Sequence, residues 1–135
     1  MKAVPYLFFG GTCAEAVEFY RDTLNAEVRA LVRFHDMPGA SADASDRVMH
    51  AELAVGESTV FASDGQGQGP SGGAGYALSL IAADDEQAER LFEALAADGR
   101  VDVPLMTTPF ASRFGMATDR FGTPWMVTTP QPAHP

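Results

Sequence analysis

The chain has 135 residues and a formal net charge of −9, and its nine Lys and Arg are scattered singly, a balance that excludes nucleic acid and anionic membrane surfaces as natural partners. Its single cysteine, Cys13, excludes an internal disulfide and fits a reducing compartment, so the cytoplasm is the expected location. The apolar run at residues 3–9 contains Pro5 and is too short for a signal peptide or a membrane span, and the length suits one domain over 1–135.

Residues 3–9, closed by Gly10 and Gly11, have the pattern of a strand ending in a turn. Thr12 and Glu15 then make a T-x-x-E capping box. Ala16, Val17, Phe19, Tyr20 and Leu24 form one apolar stripe behind it, so a helix follows with Asn25 as its stop. Val28, Ala30, Val32 and Phe34 alternate as a second strand, and residues 35–47, with Pro38, Gly39 and five Ala or Ser, read as a loop. Residues 48–63 read as a hairpin. The stretch 65–75 is a glycine-rich linker; it lacks the Gly-Lys-Ser/Thr ending of a phosphate loop. Residues 76–81 are a strand, Asp84 with Gln87 repeats the capping logic, and Ala88, Leu91, Phe92 and Leu95 give a helix stripe ended by Gly99. Residues 101–105 are a further strand, and 113–129 a final hairpin whose turn is Asp119-Arg120-Phe121-Gly122.

The two hairpins are related. A constant offset of 66 places Val48 on Phe114, Ala51 on Ala117, Gly56 on Gly122 and Phe61 on Val127, which points to internal duplication. Each half reads strand, helix, strand, hairpin. The predicted fold class is therefore α+β, with one βαβββ module at 3–64 and a second at 76–129.

Two such halves resemble the vicinal oxygen chelate superfamily, which includes glyoxalase I, bleomycin and fosfomycin resistance proteins and extradiol dioxygenases. Tyr6-Leu-Phe-Phe, Ala16-Val-Glu-Phe-Tyr20, Met49-His-Ala-Glu-Leu53 and Phe114-Gly-Met-Ala-Thr-Asp-Arg-Phe-Gly-Thr-Pro-Trp125 are similar to its PhnB-like branch, often labelled demethylubiquinone methyltransferase-like. No S-adenosylmethionine motif accompanies them. The resemblance implies curved sheets enclosing a cavity, pairing into a homodimer, and, in the metalloenzymes, one metal ligand from each of four equivalent strand positions. Aligned here, those positions fall on Pro5, Val60, Gly75 and Met126, none of them a hard oxygen or imidazole donor, so no metal and no cofactor is expected.

Taking these four positions as cavity-facing, strand alternation sends Tyr6, Phe8, Phe61, Tyr76, Leu78, Leu80, Trp125 and Val127 to the helix-packed side. It leaves Leu7, Phe9, Asp64, Ser79, Phe114, Met116, Thr118 and Met126 as a mostly apolar ligand-binding wall. His50 and Glu52 share that wall on one strand, where Glu52 would orient the imidazole as a general base; the alternative is a solvated pair, or one matched with Arg113. Arg113 is also the better candidate, over Arg120, for clamping an anionic ligand. Cys13, at the first helical position, would have its pKa lowered by the helix dipole, or is merely a small residue beside a cap.

The leading expectation is a metal-independent protein binding a small molecule in the cavity. The alternative is an enzyme, lyase-, isomerase- or dioxygenase-like, in which His50 and Glu52 transfer protons, with or without a metal recruited through His50, Glu52 and Asp64. A third reading is a dimeric scaffold with a vestigial cavity.

Overall fold

The computed structural model describes residues 1–41, 45–65 and 75–130; the linker expected at 65–75 lies outside these except for Gly65 and Gly75. The chain divides into two compact units, Met1–Ser71 and Gly72–Pro135. The first carries β1 (Tyr6–Phe8), α1 (Cys13–Leu24), β2 (Glu27–Arg33), β3 (Val48–Val55) and β4 (Ser58–Ser63). The second carries β5 (Leu78–Ile81), α2 (Asp85–Ala96), β6 (Arg100–Thr108), β7 (Ala111–Thr118) and β8 (Pro124–Pro130). Sheet orders are β1-β4-β3-β2 and β5-β8-β7-β6, with β1 parallel to β4, β5 parallel to β8, and every other pair antiparallel. Both units are thus βαβββ modules of an α+β fold, and each four-stranded sheet stays open rather than closing on itself.

Local chemistry explains the helix boundaries. Asn25 ends α1 in the left-handed region at φ 55°, a conformation Asn adopts more cheaply than most residues. Asp84 caps α2 by accepting the Gln87 amide at 2.8 Å, and the Gln87 side chain accepts the Ala83 amide at 2.7 Å. The expected Thr12–Glu15 box does not form. Thr12 donates instead to the Phe9 carbonyl at 3.2 Å, and Asp64 caps α1 from the end of β4, accepting Gly11 N–H at 2.7 Å and Cys13 N–H at 2.9 Å on Oδ1.

One face of each sheet is buried against its own helix. In the first unit α1 buries Cys13, Ala16, Val17 and Tyr20, and the Phe9 ring meets that of Tyr20 at 6.3 Å. Leu7, Ala51, Leu53, Val60 and Ala62 are buried with them. In the second, Ala88, Phe92 and Leu95 of α2 are buried, as are Ala117, Trp125 and Val127. Here α2 comes so close to β7 that a Cβ on Gly115 would lie 2.9 Å from the Phe92 ring and 3.0 Å from the Leu105 side chain. Burying a side chain such as Leu53 or Leu95 contributes about 1.5–3 kcal/mol each.

The two halves differ in one respect that reverses part of the expected facing. In the first hairpin Val55 pairs with Ser58, leaving two residues in the turn; in the second, Thr118 pairs with Pro124, leaving five. The offset of 66 holds before the turn, where Ala51 and Ala117 are both fully buried. Beyond it, Ala62 lies across from Ala51 and Trp125 across from Ala117, so the offset becomes 125 − 62 = 63. A change of three residues is odd, and an odd change inverts every side chain. The parallel partners follow, with Leu7 beside Ala62 and Leu78 beside Trp125. Leu7, Phe9, Val60, Ala62 and Asp64 therefore lie on the buried, helix side, and Tyr6, Phe8 and Phe61 on the open side, opposite to expectation. In the second unit the expected faces hold: Leu78, Leu80, Trp125 and Val127 toward α2; Ser79, Met126, Phe114, Met116 and Thr118 away from it.

Candidate functional site

The open face of the first sheet gathers the chemically distinctive side chains. β3 places His50 and Glu52 on it, Glu52 directly across from Phe61 of β4, which in turn pairs with Tyr6 of β1. Tyr6 Oη lies 2.8 Å from His50 Nδ1. Around this bond the Tyr6 and Phe8 rings stack at 5.0 Å and 4°, Phe61 meets Tyr6 edge-on at 5.7 Å, and His50 meets Phe61 at 5.0 Å. Tyr6 is 40% exposed although it is ringed by aromatics. Burial raises its pKa, with the Ser63 hydroxyl opposing, so the phenol remains protonated at neutral pH. The 2.8 Å contact suits either direction: the phenol donates to Nδ1 when the imidazole proton is on Nε2, and accepts when it is on Nδ1.

His50 and Glu52 thus share a face as expected, yet they are not a hydrogen-bonded pair. Tyr6 occupies His50 Nδ1, and Glu52 makes no hydrogen bond or ion pair to any described residue. Tyr6, Phe8 and Phe61 are the residues that sequence reasoning assigned to the wrong side. The signal that finds them is the shorter turn at Gly56-Glu57, which breaks the constant offset.

Several other expected site residues do different work. Asp64 is 2% exposed and holds three backbone amides: Gly11 and Cys13 on Oδ1, and Val48 on Oδ2 at 2.9 Å. It faces the start of α1 and not the His50 side, because the reversed register turns it inward. Leu7 and Phe9 are core residues at 4% and 2% exposure for the same reason. Cys13 is fully buried, and burial, with the adjacent Asp64 carboxylate adding to it, pushes the thiol from 9.0 up to about 12, the reverse of the lowering expected from the helix dipole. Arg113 shares its strand face with Gly115 and Ala117 and pairs with Asp85 at 3.4 Å and Glu89 at 3.1 Å on α2, so it is committed to the helix rather than to an anion.

In the second unit, Phe114, Met116, Thr118, Ser79 and Met126 share the face away from α2. Thr118 is engaged there: it donates to Asp102 at 2.7 Å and accepts from Arg100 at 3.1 Å. The Thr118 hydroxyl, then Arg100, hold the Asp102 carboxyl below its usual range. Phe114 meets Phe110 edge-on at 5.4 Å. A shallow concavity of about 560 Å³ is lined by Arg21, Asn25, Ala26, Glu27 and Val28, of which Glu27 lies across from Ala54 of β3.

The metal test can now use the observed register. With Met126 held fixed, its pairing to Ser79, the offset of 63 and the pairing of Ser63 to Phe8 make the equivalent set Phe8, Ser63, Ser79 and Met126. A phenyl ring, two hydroxyls and a thioether do not fit a hard divalent cation any better than the set expected from sequence. Asp64 lies on the opposite face from His50 and Glu52, so these three do not converge. Among the described residues no group of three or more His, Cys, Asp or Glu is placed to hold a metal ion.

Paired βαβββ modules, each with a strand 1 to strand 4 parallel pairing and an open sheet, define the class to which this fold belongs. The chain belongs to the Glyoxalase/Bleomycin resistance protein/Dioxygenase superfamily, whose family profile matches residues 3–127. It is 32% identical over 138 residues to Protein YjdN of Escherichia coli K12, covering 94% of each chain. Among solved structures it is similar to protein PA1353 from Pseudomonas aeruginosa, with 44% identity, a TM-score of 0.87 and coverage of 98% of this chain and 99% of that one. A PhnB protein from Bacillus cereus shares the fold at 23% identity and a TM-score of 0.78, covering 96% of this chain and 99% of that one. Among the described residues no helix is long and apolar enough to cross a membrane.

Proposed function

We propose that this protein binds a small organic molecule without a metal ion, on the open face of the first sheet around Tyr6, His50 and Phe61, and that it works as a cytoplasmic homodimer. The observation that carries the reading is the Tyr6–His50 hydrogen bond of 2.8 Å set among three other aromatic contacts on a face its own helix leaves free. Such a patch combines apolar area with a pair of polar groups held at a fixed position, the composition of a ligand site. On the second unit, the face made by Ser79, Phe114, Met116, Thr118 and Met126 is proposed as a ligand-contact surface of its own. The test is a melting-temperature screen against planar small molecules. A ligand present at about 1,000 times its Kd stabilises the fold by about 4 kcal/mol, a shift of several degrees. His50→Ala should abolish that shift, and a panel that never moves the wild-type melting point would refute the reading.

The same hydrogen bond also favours an enzymatic reading. In the tautomer where Tyr6 donates to Nδ1, His50 carries its proton on Nε2 and would act as a proton donor to a carbonyl-type substrate, with Glu52 two residues along as the accepting carboxylate. Turnover that survives exhaustive chelation and is lost in Tyr6→Phe would select this reading over simple binding.

A further inference from the structure

We infer that the ligand of the Tyr6–His50–Phe61 face is a planar organic cation, such as a protonated aromatic amine or a cationic N-heterocycle; this rests on the binding reading above and narrows it. The rings supply the first half of the chemistry. Tyr6 and Phe8 stack parallel at 5.0 Å, one π-face of each turned on the other, with Phe61 at 5.7 Å and 69° to Tyr6, so each ring of the stack keeps its outer face for a ligand. Aromatic faces carry a negative quadrupole and attract cations within about 6 Å.

The second half is charge. By register the strand positions sharing this face are Tyr6, Phe8, Phe61 and Ser63, then Thr59, His50, Glu52 and Ala54, with Glu27, Ala30 and Val32 on β2. Glu27 and Glu52 are the carboxylates among them, and Glu52 is the one beside the rings. It stands across from Phe61 with no hydrogen bond or ion pair to any described residue. A carboxylate left beside a ring cluster is a counter-ion position, and the chain's net charge of −9 adds a long-range field of the same sign. An anionic ligand would meet this carboxylate with no cation among the described residues paired to it, and a neutral one would gain nothing from it.

Three fluorescent probes separate the possibilities: proflavine as a planar cation, anthracene methanol as a neutral ring and anthracene carboxylate as an anion. Titrated into the full chain, proflavine should bind tightest. Glu52→Gln should weaken proflavine about fivefold, the ceiling of a partly exposed ion pair, while leaving the neutral probe unchanged and improving the anion. Phe61→Leu should weaken all three. Because the Glu52 side chain bonds to no described residue, Glu52→Gln removes no contact among the described residues; equal melting points of variant and parent check its fold, and it decides the matter even if Phe61→Leu proves unstable. Binding of the neutral or anionic probe with proflavine no better, or proflavine affinity untouched in Glu52→Gln, overturns the cation class and leaves the binding reading standing. Failure of every probe to bind wild-type protein overturns both.

Discussion

Replacing Asp64 tests the reversed register most directly, because a ligand-wall residue and a buried cap respond in opposite ways. Its carboxylate accepts N–H groups from Gly11, Cys13 and Val48 at 2.7, 2.9 and 2.9 Å. Hydrogen bonds to a charged acceptor contribute about 1.5–3 kcal/mol each, and a buried amide left unsatisfied costs about 1–3 kcal/mol. Asp64→Ala orphans all three and should cost roughly 4–6 kcal/mol once some water entry is allowed, a large part of the ~5–15 kcal/mol that holds a typical domain folded. Asp64→Asn is the better experiment. Its carbonyl oxygen can keep Gly11 and Cys13, but its amide then faces the Val48 N–H donor to donor, so about 2–3 kcal/mol should be lost. Urea unfolding followed by far-ultraviolet circular dichroism gives the free energy, and amide exchange at Cys13 to Val17 should speed up first. An Asn variant within about 0.5 kcal/mol of wild type would refute the cap and return Asp64 to the solvent side.

Trp125→Ala should cost about 3–5 kcal/mol, since it empties a buried site and strips Asp119 of the indole N–H at 2.9 Å, whereas His50→Ala should cost about 1 kcal/mol or less; equal losses in chemical denaturation would make His50 a core residue. Gly99→Ala should unfold or badly destabilise the second unit, because a Cβ there collides with the Thr118 carbonyl oxygen and lies 2.9 Å from the Asp119 carbonyl carbon; a melting point within a degree of wild type would contradict this packing. Raising the Cys13 pKa favours its neutral form in the folded state, so its contribution is fully present below pH 9.0 and is lost as pH climbs toward about 12. Stability of the wild type should therefore fall across that interval more steeply than that of Cys13→Ala, and iodoacetamide should leave the folded thiol untouched at pH 8; rapid alkylation without unfolding would overturn the buried-thiol picture.

Much of the fold was legible because its signals are local. The apolar stripes of both helices, the Asp84–Gln87 cap, the Asn25 stop and the hairpin glycines at 56 and 122 each depend on residues within a few positions of one another. Strand facing in the second unit was also legible, since Trp125, Val127, Leu78 and Leu80 obey one period without interruption. What failed was a long-range quantity. The first unit's facing turns on the number of residues in a turn, and Gly56 aligned on Gly122 conceals the difference of three. The Asp64 cap is invisible for a related reason: two of its amides lie 53 and 51 residues away in the chain, and no local pattern couples them. The candidate site suffered accordingly: His50 and Glu52 share the face away from α1, and the sequence pattern assigns the rings beside them to the other side.

The buried indole of Trp125 has a practical consequence for any unfolding measurement. It is the chain's single tryptophan and it sits in the second unit, 3% exposed, with its N–H held by the Asp119 carboxylate. Its emission is therefore a local reporter of that unit, quiet while the indole stays dry and shifting to the red when β8 opens to water. Damage confined to α1 or β1 reaches this signal only to the extent that melting of one unit drags the other with it. Backbone dichroism, by contrast, sums over both. Recording the two signals on one Asp64 variant places a number on the cooperativity between the halves: superimposed curves mean a single unfolding event, and a lagging emission curve measures the free energy by which the second half outlives the first.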